Sequence, residues 1–255
     1  MDHTPKTPSP ASPFNSVIRY THAPAVPPSW VNWKSSRTLK YQEAIKANED
    51  LAVILLRVDR DLAERIRSCR PGRYRCQKWR YCAFCSPLRE AKLVRDYSTR
   101  LLRPAELAHV TLTTRACDRL TRRALQALAH KYNLLRRQRR FKQSVAGAIV
   151  NIQVEYGASG WLVHMHIVVD HRGGLSKNWL KEAWTTLGGG WSVGFDIISR
   201  DTQHAVVAYG ARRPDLPLDS QLVWQFFTAT RGFTMIRASG TFNKSHGRRR
   251  ATVGA

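Results

Sequence analysis

Acidic residues are scarce in this chain of 255 residues, which has 18 Asp and Glu against 42 Lys and Arg. The formal net charge is therefore +24, and a surface with this charge repels itself unless polyanions lie against it. Nucleic acid is the expected class of partner. The charge alone does not separate DNA from RNA, or either of them from an anionic membrane.

Long apolar runs are also missing. No stretch approaches the ~20 consecutive apolar residues that a membrane-spanning helix requires. The first residues lack the order of charged, apolar and small residues that is typical of a signal peptide. We therefore expect a cytoplasmic protein that has no membrane partner.

Cysteine is rare, and four of the five cysteines lie close together in the chain. Cys69, Cys76, Cys82 and Cys85 form this cluster, and Cys117 stands apart. In a reducing compartment, such a cluster indicates metal binding before disulfides. Its terminal Cys-x2-Cys is typical of half a tetrahedral zinc site, whereas the first pair is spaced more widely than in the commonest zinc fingers. We expect structural Zn²⁺ here, and free thiols in a core are the alternative.

Composition divides the chain into four parts. Residues 1–35 are rich in Thr-Pro, Ser-Pro and Pro-Pro pairs, which predicts a disordered arm. Residues 36–104 form a helical region that contains the cysteine-rich segment, with apolar residues at helical spacing before it and a helix after it. Residues 105–243 alternate strand and helix patterns, and residues 244–255 are expected to be a flexible basic tail.

The third part predicts an α+β fold. Its elements follow the order strand, helix, strand, strand, helix, strand and helix, which indicates an antiparallel sheet with helices packed mainly on one face. Gly157 to Gly160 supply the turn of a hairpin between the second and third strands. The predicted elements cover residues 108–114, 117–141, 145–156, 161–170, 177–187, 193–199 and 202–212.

Two histidines lie two residues apart on the last strand of this hairpin. Strand alternation places His164 and His166 on one face about 7 Å apart, so both could bind one cation. On the facing strand, Gln153 and Glu155 share a face and could add an oxygen ligand. Nitrogen and oxygen ligands suit Mg²⁺ or Mn²⁺. The alternative is a pair of polar residues on the wet face of a strand.

Cleavage of a phosphodiester requires a nucleophile, and Tyr209 is the candidate because arginines follow it by one helical turn. Tyr156 and Tyr132 are weaker candidates, and a packed aromatic is the alternative for Tyr209. Cations and aromatics elsewhere could hold phosphates and bases, although solvated charges are the alternative there. These DNA-binding candidates are Arg73, Trp79, Arg136, Arg137, Arg139, Arg140, Arg212 and Arg213.

The order of these motifs resembles the plasmid rolling-circle replication initiators of the His-hydrophobic-His endonuclease superfamily. The resemblance covers roughly residues 65–243, and members of the family also tend to carry a cysteine-rich segment upstream. It rests on Val110-Thr-Leu-Thr113, Val154-Glu155, His164-Met-His166, Tyr209 with the basic residues after it, and Arg231 to Gly240.

The resemblance implies a nuclease domain in which His164, His166 and Glu155 bind Mg²⁺ or Mn²⁺ and Tyr209 attacks the scissile phosphate. The products would be a 5′-phosphotyrosine and a 3′-hydroxyl that primes replication. The implied partners are single-stranded or origin DNA, with a host helicase and polymerase. Where many members have a lysine after the tyrosine, this chain has arginines, and where some have a glutamate before it, this chain has Ala205.

Two other functions fit the same residues. A transposase or relaxase of the same superfamily would use the same chemistry on a different DNA end. A noncatalytic zinc-containing nucleic-acid-binding protein would use the histidines as surface residues and Tyr209 for packing.

Overall fold

The structure is a computed structural model that describes residues 33–190, 192–210 and 212–243, with side chains from residue 40 onward except at 209 and 210. The predicted tail at 244–255 lies outside these residues. So does the predicted arm at 1–35, apart from its last three residues, which begin the first helix.

Two helices precede the cysteines and one follows them. These are α1 (Trp33–Leu55), α2 (Arg60–Ser68) and α3 (Cys85–Leu101). The side chain of Asp59 caps α2 by accepting a hydrogen bond from the backbone N–H of Leu62. The helical region predicted from apolar spacing before the cysteines and the helix predicted after them are both present. No helix in the described ranges is long and apolar enough to cross a membrane.

The remaining chain builds an antiparallel sheet of five strands, which are β1 (Glu106–Thr113), β2 (Val145–Gly157), β3 (Gly160–His171), β4 (Ser192–Ile198) and β5 (Ile236–Gly240). Their order in the sheet is β4-β1-β3-β2-β5. The predicted hairpin is confirmed as β2 and β3, and Gly160 in its turn has a φ of +93°, a conformation that favours glycine.

Five further helices connect these strands. The two predicted at 177–187 and 202–212 are present, although the second ends two residues earlier. The helix at Ser220–Thr230 and the last strand, β5, were not predicted as elements. The helices are α4 (Arg122–Arg137), α5 (Arg139–Ser144), α6 (Lys177–Thr186), α7 (Gln203–Gly210) and α8 (Ser220–Thr230).

The single basic helix predicted at 117–141 is wrong. Cys117 is extended and forms an isolated bridge with Trp161. The helix begins only after Thr121, whose side chain accepts a hydrogen bond from the N–H of Ala124. Gln138 then takes an extended conformation, with ψ at 139°, and divides α4 from α5.

Helices cover both faces of the sheet, so the expectation of helices mainly on one face is incomplete. One face packs in a common core with α4, α6 and α8, and this core continues through the cysteine segment to α1 and α2. At one end of the other face, Ile149 and Val168 pack with residues of α3 and α7. Helices are required on both faces because consecutive residues such as Val168 and Val169 are both apolar. Their side chains project from opposite faces of the sheet, and both are buried.

Candidate active site and structural metal centre

The histidine pair lies on the central strand of the sheet. His166 is opposite Asn151 on β2 and Thr111 on β1, and His164 is opposite Gln153 and Thr113. Paired residues of antiparallel strands project from the same face, so these polar side chains form one group. Val163, Met165 and Ile167 point the other way into the core. The predicted shared face of the two histidines is confirmed.

A third histidine, His109 of β1, joins the pair and was not singled out from the sequence. Its Nε2 lies 3.0 Å from Nδ1 of His166, and the two rings are stacked with centroids 5.2 Å apart. The rings of His164 and His166 have centroids 4.8 Å apart. The alternation of side chains along β1 shows which residues share a face with His109. Only the register of β1 against β3 shows that this face is the one that carries His164 and His166.

Oxygen donors come from β2. The Oε1 atom of Gln153 lies 3.2 Å from Nε2 of His164, and Oε1 of Glu155 lies 3.7 Å from the same nitrogen. Gln153 is half-buried, whereas the side chain of Glu155 is 53% exposed. Glu155 is therefore beside His164 as predicted, but Gln153 is closer.

Burial keeps the three imidazoles neutral. It lowers the pKa of His109 and of His164 to about 4. Burial, together with the neighbouring His164 and His109, lowers the pKa of His166 to about 2. Neutral imidazole is the form that binds a metal.

The donor types at this site fit a divalent ion. Imidazole nitrogens stand beside amide and carboxylate oxygens, a mixed set that such ions accept. Nδ1 of His164 is buried and has no hydrogen-bond partner within the described residues, which is costly for a buried polar atom. The ligand atoms of the histidine group are nevertheless not drawn together around one point. In the described part of the chain, only the four cysteines bring three or more His, Cys, Asp or Glu ligand atoms close enough to hold an ion.

The helix that carries Tyr209 lies on the histidine-bearing face. Val207 of α7 is buried in one cluster with Ile149 and Val168, which project from that face. Nε2 of His204, also on α7, is buried without a hydrogen-bond partner among the residues described. The side chain of Tyr209 itself lies outside the described residues.

The chain after α7 is fixed to the cysteine segment. The guanidinium of Arg213 donates to the carbonyl oxygen of Tyr81 at 3.0 Å, and its backbone N–H donates to Oγ of Ser86. Arg212 is exposed and Arg213 is half-buried. Burial and the nearby charge of Asp215 raise the pKa of Glu155. Asp215 is therefore near the carboxylate that neighbours His164.

The other predicted DNA-binding residues are not part of this site. Arg136 and Arg137 are exposed on α4, which packs on the opposite face of the sheet. Arg139 is exposed on α5, where Arg140 donates to the carbonyl oxygen of Gly174 at 2.7 Å. The structure thus separates a histidine face from a basic face.

The four clustered cysteines form a second centre. All four are buried, and their sulfurs lie within 4.8 Å of one another. The Sγ of Cys85 is 3.7 Å from that of Cys69 and 3.6 Å from that of Cys76. Four sulfurs placed tetrahedrally at Zn–S distances of about 2.3 Å would lie about 3.8 Å apart. The cluster could therefore hold a zinc ion, and four thiolates would leave no open position for a substrate.

Amide donors surround these sulfurs. The N–H of Cys76 points to Sγ of Cys69 at 3.5 Å, and the side chain of Asn48 donates to Sγ of Cys82 at 3.4 Å. Asn48, fully buried on α1, also accepts a hydrogen bond from the N–H of Ala83. A hydrogen bond from the Cys76 thiol lowers the pKa of Cys82 to about 5. Thiolate character of this kind is what a metal ligand requires.

The cysteine segment is anchored to α8. Arg80 donates to the carbonyl oxygens of Thr230 and Phe233, and the hydroxyl of Tyr81 lies 3.0 Å from that of Thr230. Trp79 is half-buried beneath the guanidinium of Arg80, which is 5.1 Å from the ring centroid. Arg73 is exposed in the loop between the first two cysteines.

Comparison with known proteins does not identify the chain. No family model matches the sequence, and no curated protein and no solved structure matches it either. The function is therefore argued from the residues of the two centres.

We predict that Cys82→Ser removes bound zinc and lowers the free energy of unfolding by roughly 4 kcal/mol, because loss of a structural metal is among the most destabilising changes. Zinc content by mass spectrometry and urea denaturation measure the two effects. Cys117→Ser is the matched control, since Cys117 lies outside the cluster, and it keeps both values. Less than half an equivalent of zinc in the native protein, with unfolding unchanged by a chelator, would show free thiols instead.

We also predict a pH dependence of stability from His109. The unfolded chain has a histidine pKa near 6.5 and the folded one near 4, so the unfolded state binds more protons between these values. Stability therefore falls as pH drops through this window. His109→Gln should reduce that slope by about 1.4 kcal/mol per pH unit. His130→Gln, which changes an exposed histidine on α4, is the control, and an equal slope in all three proteins would contradict the burial of His109.

Proposed function

We propose that this protein is a cytoplasmic plasmid rolling-circle replication initiator of the His-hydrophobic-His endonuclease superfamily. It would nick single-stranded DNA at an origin as a metal-dependent endonuclease and strand transferase. The observation that carries the proposal is the shared face of the sheet. His109, His164 and His166 project from it, and the helix that bears Tyr209 packs against it.

In this mechanism, His164 and His166 would hold Mg²⁺ or Mn²⁺ with an oxygen of Gln153 or Glu155. The ion, when bound, supplies Lewis-acid polarisation of the phosphodiester. The bond between His109 and His166 fixes the ring orientation of His166, as partners of metal-binding histidines commonly do. His109 is thus a positioning residue.

Tyr209 supplies the nucleophile of the proposed reaction. Its hydroxyl oxygen bonds to phosphorus as the bond to the 3′-oxygen breaks, and the proton that the tyrosine gives up to solvent is balanced by the proton that the 3′-oxygen takes up. A 5′-phosphotyrosine and a free 3′-hydroxyl result, so one phosphoester is exchanged for another and no external energy is required. Arg212 is exposed two residues beyond this helix, and the guanidinium of Arg213 is bonded to the carbonyl oxygen of Tyr81.

One observation favours a second candidate, a noncatalytic zinc-containing nucleic-acid-binding protein. The only closed group of metal-ligand side chains in the described ranges is the cysteine cluster, whose role would be structural. In that case, the histidines would form a polar patch without chemistry. Metal-dependent nicking separates the two candidates.

We predict that Tyr209→Phe lowers nicking at least 10³-fold and leaves DNA affinity nearly unchanged, because only the attacking oxygen is lost. Labelled oligonucleotides tiled across the replicon would report the covalent adduct, and mass spectrometry would map the modified tyrosine. Tyr156→Phe, on the exposed hairpin end, is the control and should keep the adduct. An adduct on Tyr209→Phe would reject the assignment of the nucleophile.

We predict that the double variant His164→Ala and His166→Ala loses both nicking and Mn²⁺ binding, because two of the proposed ligands are removed. Calorimetric titration with Mn²⁺ measures binding independently of activity, and His130→Ala serves as its control. Unchanged Mn²⁺ binding would remove the pair as ligands. Native protein that cleaves none of the tiled oligonucleotides with Mg²⁺ or Mn²⁺ would support the noncatalytic function.

A further inference from the structure

A basic groove lies on the side of the sheet opposite the histidines, between α4 and the edge strand β5. Three adjoining cavities form it. Asn133 lines all three of them, whereas Arg237 and Ser239 each line two. The cavity at the α5 end has a volume of about 540 Å³. We refer to this feature as the α4–β5 groove.

The lining of the α4–β5 groove is cationic and contains no carboxylate. Its charged side chains are all exposed, and His130 stands among them. Several are held in place, since Arg122 donates to the carbonyl oxygen of Arg231 and Arg136 lies over the ring of Tyr132. The cations are Arg122, Arg136, Arg137, Lys142 and Arg237.

The two walls of the groove come from stretches without acidic residues. Neither residues 119–154 nor residues 220–255 contain a single Asp or Glu. Elsewhere, lysines and arginines on helices pair with carboxylates one turn away, as Lys46 does with Asp50 and Arg60 with Glu64. The groove cations have no such counterion in their own segments, so their charge favours the binding of an external polyanion.

The other residues that line the groove indicate whether the anion is a duplex or a single strand. Its aromatic residues, Tyr132, Phe141 and Phe233, are buried, so no exposed ring is available for stacking bases. Proteins that hold single strands combine a basic groove with such rings, whereas contacts to a duplex backbone need only cations. A helix of 16 residues such as α4 is about 24 Å long, which equals the axial length of about seven base pairs of a duplex.

We propose that the α4–β5 groove binds the phosphate backbone of duplex DNA, apart from the face on which a strand is cleaved. This deepens the proposed function and rests on it only for the identity of the polyanion as DNA. Because β5 is the edge of the sheet, a duplex in the groove and a single strand on the histidine face would meet around that edge.

The test compares binding of duplex and single-stranded DNA by the variant Arg136→Gln, Arg137→Gln and Arg237→Gln. The probes are a random duplex of about 20 base pairs and one of its strands, followed by fluorescence anisotropy at several salt concentrations. We expect the slope of log K against log salt to fall by about 0.9 for each lost phosphate contact with duplex. Duplex affinity should drop at least tenfold and single-strand affinity less than threefold.

The matched control removes three exposed arginines from α2, with Arg60→Gln, Arg65→Gln and Arg67→Gln. It should bind duplex as the native protein does, and thermal melting establishes that both variants are folded. An equal loss of duplex affinity in the control, or an equal loss for single strands in the groove variant, would overturn the proposal. Binding is measured without cleavage, so absence of nicking would reject the proposed function and leave the groove result standing.

Discussion

The register of β3 between β1 and β2 is the constraint on which the rest of the structure depends. Side chains alternate along a strand, so a slip of one residue would exchange the imidazoles with Val163, Met165 and Ile167. The apolar set faces α4, α6 and α8 and therefore fixes the register. The register that buries the core residues is consequently the one that places the histidines on the opposite face. No additional interaction is required to orient the polar site.

The cysteine segment ties distant parts of the chain together. Asn48 connects it to α1, Arg80 and Tyr81 connect it to α8, and Arg213 connects it to the end of α7. The bonds from Arg80 and Arg213 have backbone carbonyls as acceptors, whereas those of Asn48 and Tyr81 reach a cysteine sulfur and a threonine hydroxyl. A metal in the cluster would therefore stabilise the position of α7 as well as its own loop.

Features set by local spacing could be predicted from the sequence, and features set by long-range contacts could not. Alternation and turn residues indicated the β2–β3 hairpin and the shared face of His164 and His166, and the spacing of the cysteines indicated their cluster. His109 and Asn48 join their sites only through strand register and helix packing, which no local pattern encodes, whereas the alternation that indicated Glu155 also indicated Gln153. The break at Gln138 also escaped prediction, since basic residues continue across it. The roles of Tyr209 and of a metal at the histidines remain predictions.

The neutral imidazoles carry no charge that would attract or repel a cation, so the charge of the rest of the protein decides how a cation approaches them. Any divalent cation that approaches this face meets the long-range repulsion of a protein with a formal net charge of +24. DNA phosphates cancel that repulsion, so DNA and the cation must each strengthen the binding of the other, by the same factor in both directions. Cation affinity in the absence of nucleic acid would then be weakest at low ionic strength, where the repulsion is least screened.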